Sequence, residues 1–199
     1  RDMREATRTL IEESPSEPRL LFFVLMSDVI FFLSFGVRLV VSPSEAIEHA
    51  MPLPAALGGA LVGVLLLRTL TMYIFAGLVK ILGWPFGGRG SFKELRAGVF
   101  WASLVAAPVG VLGALVGAVF ANLEKAYPVF ASPLLAWPPL LIGVVAFVYF
   151  LAAGVAEAHR FRRTTPIFWL FSLMTIAIVV GVIYVANTTG IVAALEKAA

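Results

Sequence analysis

Residues 20–41 read LLFFVLMSDVIFFLSFGVRLVV, an apolar run that only two charged residues, Asp28 and Arg38, interrupt. A helix needs about 20 consecutive apolar residues to cross the hydrocarbon core of a bilayer. Lipid offers no hydrogen-bond partner to backbone N–H and C=O groups, so a spanning segment satisfies these groups internally as an α-helix. The run therefore predicts a transmembrane helix that carries a carboxylate some way below the membrane surface.

Four further apolar runs follow, at about residues 54–79, 92–121, 133–157 and 166–187. Of all residues, 60% are hydrophobic and only 14% are charged, whereas about 25% are charged in an ordinary soluble domain. One soluble core cannot bury that much apolar surface, so lipid is expected to cover the outside. The sequence predicts an all-α integral membrane protein, with five helices in a single domain over residues 20–190 and short tails at 1–19 and 191–199.

The composition also excludes several function classes. The chain has no cysteine and only two histidines, so thiolate metal sites are excluded and no H-E-x-x-H zinc motif is present. The basic residues are spread along the chain rather than gathered on one face, which argues against nucleic-acid binding. The glycines of residues 87–90 lack the Walker pattern and predict a tight turn. We therefore expect neither a metal nor another cofactor.

The distribution of basic residues predicts the orientation. Eleven lie in the N-terminal tail, the second loop and the fourth loop, whereas the opposite side has only Lys125 and Lys197. Loops rich in Lys and Arg stay in the cytoplasm. We therefore expect a cytoplasmic N-terminus and, after five crossings, an external C-terminus. The eleven residues are Arg1, Arg4, Arg8, Arg19, Lys80, Arg89, Lys93, Arg96, Arg160, Arg162 and Arg163.

Two stretches resemble the Yip1-domain family of membrane proteins. Residues 86–95, FGGRGSFKEL, resemble that family's glycine loop and the helix start behind it, with Ser91 and Glu94 placed as a capping box. Residues 156–161, AEAHRF, resemble the family's fourth loop. In eukaryotes the family is associated with Rab GTPases, but this chain lacks the Asp-Leu-Tyr-Gly-Pro stretch of those relatives. The resemblance therefore points to the bacterial branch and the cytoplasmic (inner) membrane, and it implies a fold more than an activity.

Two charges within the spans are the first candidates for a site. Asp28 lies ~12 Å into the first helix and Arg68 ~16 Å into the second, counted from the same side at 1.5 Å per residue. A pair between them would neutralise both charges, although side chains tilt towards the N-terminus of their own helix and these helices run in opposite directions. Alternative partners are Lys80 and Arg96 for Asp28, and Tyr149, Tyr184 or backbone carbonyls for Arg68. The pair is interpreted either as structural or as part of a proton or ion pathway.

Other polar residues have milder interpretations. Arg38 is expected to extend towards the outer headgroups or towards Glu45 and Glu48. Glu157 and Arg160 have the spacing of an i,i+3 helix pair, and His159 is interpreted as a solvated loop residue. The segment Met3–Ile11 is either a helix in the headgroup region or a short solvated helix. The four tryptophans lie near helix ends and are interpreted as interfacial anchors.

Small residues repeat at four-residue spacing in two helices, as Gly59 and Gly63 in the second and as Gly113 and Gly117 in the third. Such pairs allow helix backbones to approach closely. They predict either packing within one bundle or a homo-oligomer seam.

The function that these features favour is a non-enzymatic membrane scaffold or adaptor. It would work through helix packing and through a basic cytoplasmic face that binds anionic lipid or a protein partner. A small transporter or channel that uses Asp28 and Arg68 is the alternative. An intramembrane enzyme needs clustered catalytic groups that the sequence lacks. The candidate basic face consists of Lys80, Arg89, Lys93, Arg96, Arg160, Arg162 and Arg163.

The orientation gives a first prediction. Reporter domains inserted after Arg89 or after Arg162 should remain cytoplasmic, and a reporter at the C-terminus should be external, because clustered basic residues resist translocation. Paired alkaline phosphatase and green fluorescent protein fusions measure the two locations. A cytoplasmic C-terminal reporter would contradict the count of five crossings.

Overall fold

A computed structural model of the chain describes residues 2–41, 52–124 and 126–188. In this part of the chain, five helices are long and apolar enough to cross a membrane and no strand occurs, which confirms the predicted fold class. The predicted external tail, Lys125, Lys197, Glu45 and Glu48 lie outside the described residues. The helices are α1 (Met3–Glu12), α2 (Glu17–Val41), α3 (Leu53–Gly63), α4 (Thr69–Gly83), α5 (Phe92–Glu124), α6 (Pro133–Ala158) and α7 (Thr165–Thr188).

The second span is one continuous helix with two irregular turns. A π-helical turn, Val64–Arg68, joins α3 to α4, and a 3₁₀ turn, Trp84–Phe86, extends α4 beyond the predicted end at residue 79. Gly87 stops the helix with φ 80°, a left-handed conformation that glycine adopts without steric penalty. The capping box is confirmed, since the Glu94 N–H donates to the Ser91 hydroxyl and the Ser91 N–H donates to the Glu94 carboxylate.

The helix α5 is the centre of the bundle and packs most extensively against α6, then against α2. Buried apolar side chains gather in the half of the bundle nearest the basic loops, whereas the lipid-facing sides of α3, α4 and α7 are largely exposed. The core of this half includes Leu20, Val24, Ala76, Leu95, Val99, Phe100, Leu151 and Val155. We call the surface at its end, formed by residues 80–96 and 157–165, the basic end.

The N-terminal helix α1 lies on the basic end, against α6 and α5. Met3, Thr7 and Leu10 are buried on one side of it, so the interpretation as a solvated helix is wrong. This apolar side packs against protein and is not free to face lipid headgroups.

Glycines bring α5 and α6 into backbone contact. A Cβ atom on Gly154 would lie 2.5 Å from the Gly98 carbonyl oxygen, and one on Gly113 would lie 2.5 Å from the Pro139 carbonyl oxygen. Gly113 therefore packs within the bundle. A Cβ atom on Gly59 or Gly63 would meet no atom of the described residues within 4 Å, so their face of α3 is open in the monomer.

These contacts predict opposite effects of the same substitution at two glycines. Gly154→Ala should lower the melting temperature in detergent, because overpacking a tight contact costs about 1–3 kcal/mol. Gly59→Ala should leave it unchanged or raise it, because alanine is the better helix former by roughly 0.5–1 kcal/mol. Equal melting temperatures of the two variants would contradict the close crossing of α5 and α6.

Candidate functional site

Asp28 and Arg68 form an ion pair inside the bundle. The Arg68 Nη1 group donates to Asp28 Oδ1, and the Thr69 hydroxyl donates to Asp28 Oδ2. The Asp28 side chain is fully buried and that of Arg68 is 14% exposed. The structure thus brings together the two charges that the sequence singled out, and each carboxylate oxygen has a donor.

Two serines complete the contacts of Arg68. Its Nη1 group donates to the Ser27 hydroxyl at 2.8 Å, and its Nη2 group donates to the Ser103 hydroxyl at 2.7 Å. The two hydroxyls lie 2.7 Å apart. We call Ser27, Asp28, Arg68, Thr69 and Ser103 the polar clasp. It joins the first, second and third spans at one depth.

Arg68 ends the π-helical turn Val64–Arg68, so the pair lies beside an irregular turn of the second span. Adjacent residues of a regular α-helix diverge by about 100°, from 3.6 residues per turn. A π turn is wider and re-aims the side chains next to it, and such turns are frequent at functional sites. Here Arg68 and the next residue, Thr69, both reach Asp28. The Phe31 ring lies 4.9 Å from the guanidinium carbon and shields the pair.

Two of the alternative partners, Arg96 and Tyr149, have other contacts. Arg96 forms two hydrogen bonds of 2.7 Å with the Glu17 carboxylate. The Tyr149 ring packs against Phe150 and Phe168.

Sequence reasoning missed the three hydroxyls of the polar clasp, although a signal for them existed. Ser27 and Thr69 are chain neighbours of the two charges. Ser103 lies ~16 Å along α5 from Phe92 at 1.5 Å per residue, which is the depth estimated for Arg68. Hydroxyls within spans commonly bond across helices, so matched depth was sufficient to nominate Ser103.

Glu157 fastens α1 to the end of α6. It accepts from Arg4 Nε at 2.9 Å and from Arg8 Nε at 2.6 Å. Arg4 also donates to the Phe161 and Arg162 carbonyl oxygens, at 2.7 and 3.1 Å. The hydrogen bond and charge of Glu157 raise the pKa of Arg8.

The predicted pair between Glu157 and Arg160 is wrong. Arg160 has left the helix, with φ 61°, and its Nη2 group lies 3.4 Å from Glu94 Oε1. The i,i+3 rule requires both residues to stay on one helix, and α6 ends at Ala158.

His159 is buried, and its interpretation as a solvated loop residue is also wrong. Its Nε2 atom lies 3.1 Å from the Val79 carbonyl oxygen. Glycines leave room for the ring, since a Cβ atom on Gly83 or Gly88 would lie 2.4 Å from a ring nitrogen. Burial lowers the pKa of His159, and the hydrogen bond to Val79 opposes this only in part.

The basic face proposed from the sequence divides into two groups. Arg96 and Arg160 are paired with carboxylates, and Lys93 donates to the Ser14 hydroxyl at 3.1 Å. Lys80, Arg89, Arg162 and Arg163 are exposed, and within the described residues their side chains form no ion pair. Arg38 is exposed at the far end of α2, and its predicted partners Glu45 and Glu48 lie outside the described residues.

Three of the four tryptophans, Trp84, Trp137 and Trp169, are exposed. Trp101 instead is partly buried and packs its ring 5.4 Å from that of Phe23, against the core. No group of three or more His, Asp and Glu side chains with the geometry of a metal site occurs in the described part of the chain.

Comparison with known proteins identifies one family. The family model described as Yip1 domain matches residues 2–186, which is nearly the whole chain and includes both stretches that carry the resemblance. No curated protein and no solved structure matches the chain.

The polar clasp predicts strong coupling between its two charges. Asp28→Asn or Arg68→Leu alone leaves one buried charge unpaired, which typically costs about 3–5 kcal/mol, whereas removing both charges can be nearly neutral. Each single variant should therefore melt earlier in detergent, and the double variant should recover most of the loss. A double-mutant cycle on melting temperature measures the coupling. Strict additivity would mean that each residue depends on a partner of its own.

The Glu157 contacts predict that α1 can be released selectively. In Glu157→Gln the two arginines lose their anion. A hydrogen bond to a charged group contributes ~1.5–3 kcal/mol, so its loss lowers the free energy that opens α1 by a similar amount. Amide exchange in α1 should therefore quicken about ten- to a hundredfold. Hydrogen exchange with mass spectrometry measures this at residues 3–12. Glu12→Gln, on the exposed side of α1, is the matched control and should keep normal protection. Unchanged exchange in Glu157→Gln would mean that apolar contacts alone hold α1.

Burial of His159 predicts a pH dependence of stability. The pKa of His159 is lowered in the folded state, whereas in the unfolded chain it keeps its usual value of about 6.5. The unfolded chain therefore binds the proton more readily than the folded protein does. The stabilisation is fully present above about pH 6.5 and is lost as the pH falls towards the folded-state pKa. The melting temperature of wild type should thus fall more between pH 7.5 and 5.5 than that of His159→Gln. Identical slopes in wild type and His159→Gln would contradict the prediction.

Proposed function

This chain belongs to the Yip1-domain family of membrane proteins, and from that premise we propose that it is a non-enzymatic membrane scaffold or adaptor. Its N-terminus and two basic loops would face the cytoplasm, in the bacterial inner membrane. Its basic end would be the surface on which partners assemble.

The main support for a scaffold over a transporter is that Asp28 and Arg68 contact each other. A pathway for protons or ions needs polar groups that face a hydrated cavity. In the polar clasp the charges and hydroxyls bond to one another instead. An open cavity of about 680 Å³ lies along α5 and α6, but its lining is apolar and includes no clasp residue. The interior polar groups therefore support a structural role.

The basic end also has the properties of a platform. Glu157 holds α1 through Arg4 and Arg8, and the His159 carbonyl oxygen accepts from the Arg89 N–H of the glycine loop. Two cytoplasmic elements are thereby fixed relative to the bundle. A preorganised surface loses less entropy when a partner binds than a mobile one does.

A second candidate, a small transporter, is favoured by one observation. Arg68 ends a π-helical turn, and such turns frequently mark functional sites. If the turn reverts to a regular helix during a transport cycle, Arg68 would part from Asp28 and open a polar path.

One pair of experiments separates the two functions. Wild type and the double variant Asp28→Asn/Arg68→Leu are purified in nanodiscs, and co-purifying proteins are identified by mass spectrometry. The same proteins are reconstituted into liposomes for proton and ion flux. A scaffold should retain the same partners in both forms and show no flux above empty liposomes. Flux in wild type that the folded double variant lacks would replace the scaffold with a transporter.

A further inference from the structure

The end of the second span carries exposed apolar side chains beyond its predicted boundary. Trp84 and Phe86 are each 79% exposed, and Ile81 is 67% exposed. They continue the lipid-facing stripe of α4, where Leu70, Ile74 and Leu78 are also exposed and follow helical spacing. The stripe is apolar along its whole length to Trp84, so the lipid that covers α4 would also cover Trp84 and Phe86. We call these two residues the aromatic pair.

Contacts with His159 fix the depth of this aromatic pair. The Val79 carbonyl oxygen lies 3.1 Å from His159 Nε2, and Gly83 abuts the His159 ring. The end of α4 is therefore level with His159, immediately after the fourth span ends at Ala158. This is the level of the membrane–water interface, where tryptophan is enriched.

Uncompensated positive charge surrounds the same level. Lys80 precedes the aromatic pair and Arg89 follows it in the glycine loop, whose Arg89 N–H donates to the His159 carbonyl oxygen at 3.3 Å. Arg162 and Arg163 lie just beyond His159 in the neighbouring loop. All four are exposed, and within the described residues none is paired with a carboxylate, in contrast to Arg96 and Arg160.

We propose that Lys80, Trp84, Phe86, Arg89, Arg162 and Arg163 form a binding edge for anionic phospholipid of the cytoplasmic leaflet. The aromatic rings lie at the boundary of headgroups and acyl chains, and the four cations bind lipid phosphates. This rests on the proposed orientation of the scaffold. Lipid is favoured over an acidic protein because the edge continues the lipid-covered stripe of α4, which a partner that approaches from the cytoplasm would not reach.

The test uses Trp84 as a reporter of its own lipid neighbours. The other three tryptophans are replaced by phenylalanine, and the full chain is reconstituted in vesicles that contain either brominated phosphatidylglycerol or brominated phosphatidylcholine at equal fraction. Bromine quenches tryptophan fluorescence on contact. The quenching should indicate that Trp84 contacts phosphatidylglycerol in preference to phosphatidylcholine by about fivefold or more. A factor of about five corresponds to the ~1 kcal/mol that one basic side chain contributes near an anionic surface. High salt should reduce the preference.

Two variants test whether the preference for anionic lipid depends on the four cations of the binding edge. Replacement of Lys80, Arg89, Arg162 and Arg163 by glutamine should abolish it, whereas Arg96→Gln/Arg160→Gln, which removes two ion-paired cations, should retain it. Equal loss in both variants would overturn the assignment. Thermal melting establishes that each variant is folded, and native mass spectrometry of lipid adducts on the chain with all four tryptophans repeats the comparison without the phenylalanine changes.

Other outcomes also decide the question. Equal quenching by both lipids at low salt, or quenching by neither, would overturn the proposal. Loss of a co-purifying protein from the glutamine variant, without any lipid preference in wild type, would assign the edge to an acidic partner instead. The scaffold proposal fails separately, through ion flux in liposomes, which the quenching measurement does not report.

Discussion

A charge within a bilayer must be neutralised inside the protein, and the polar clasp is where this chain meets that requirement. Asp28 and Arg68 would each disfavour insertion by roughly 2.5–3.5 kcal/mol if left alone. Their ion pair and the hydroxyls of Ser27, Thr69 and Ser103 satisfy both groups together. A buried ion pair adds little net stability compared with apolar packing, but the loss of either partner is costly. The clasp therefore specifies the register of three spans more than it strengthens them.

A second constraint acts between α5 and α6, where backbone meets backbone. Lipid tails are as apolar as leucine side chains, so helices in a membrane associate through close packing rather than through the hydrophobic effect. Gly98 and Gly154 permit that packing because neither places a Cβ atom in the other's path. The end of α6 then lies beside the starts of α5 and α1, and its Glu157 and His159 reach α1 and the glycine loop. The order at the basic end thus follows from the close crossing inside the bundle.

The sequence predicted the features that depend on local pattern. Hydropathy identified the spans, and the spacing of Ser91 and Glu94 identified the cap of α5. Matched depth nominated Asp28 and Arg68, although the tilt of side chains along a regular helix argued against them. That objection did not hold because the Arg68 guanidinium reaches Asp28 in spite of the tilt. The π turn that ends at Arg68 is a further feature that no rule of apolar spacing reports. The partners of Glu157 and the burial of His159 were mispredicted for a related reason. Arg4 lies 153 residues from Glu157 and Val79 lies 80 residues from His159, so only the tertiary fold brings them together.

The pairing of acidic and basic side chains indicates where the surface of this protein is available to bind a partner. Five acidic side chains at depth or near the basic end have a basic partner: Asp28 with Arg68, Glu157 with Arg4 and Arg8, Glu17 with Arg96, Glu94 with Arg160, and Glu13 with Arg19. Among the described residues, Lys80, Arg89, Arg162 and Arg163 have no carboxylate partner, and the exposed Trp84 and Phe86 lie between Lys80 and Arg89 in the sequence. An exposed ion pair adds at most about 1 kcal/mol, so leaving these cations unpaired changes the stability of the fold little in either direction. Positive charge in the loops also orients a chain in a membrane, but that requirement does not account for the exposed Trp84 and Phe86. The aromatic pair anchors this end of α4 at the interface, and the proposed binding edge adds to that anchor the four cations around it.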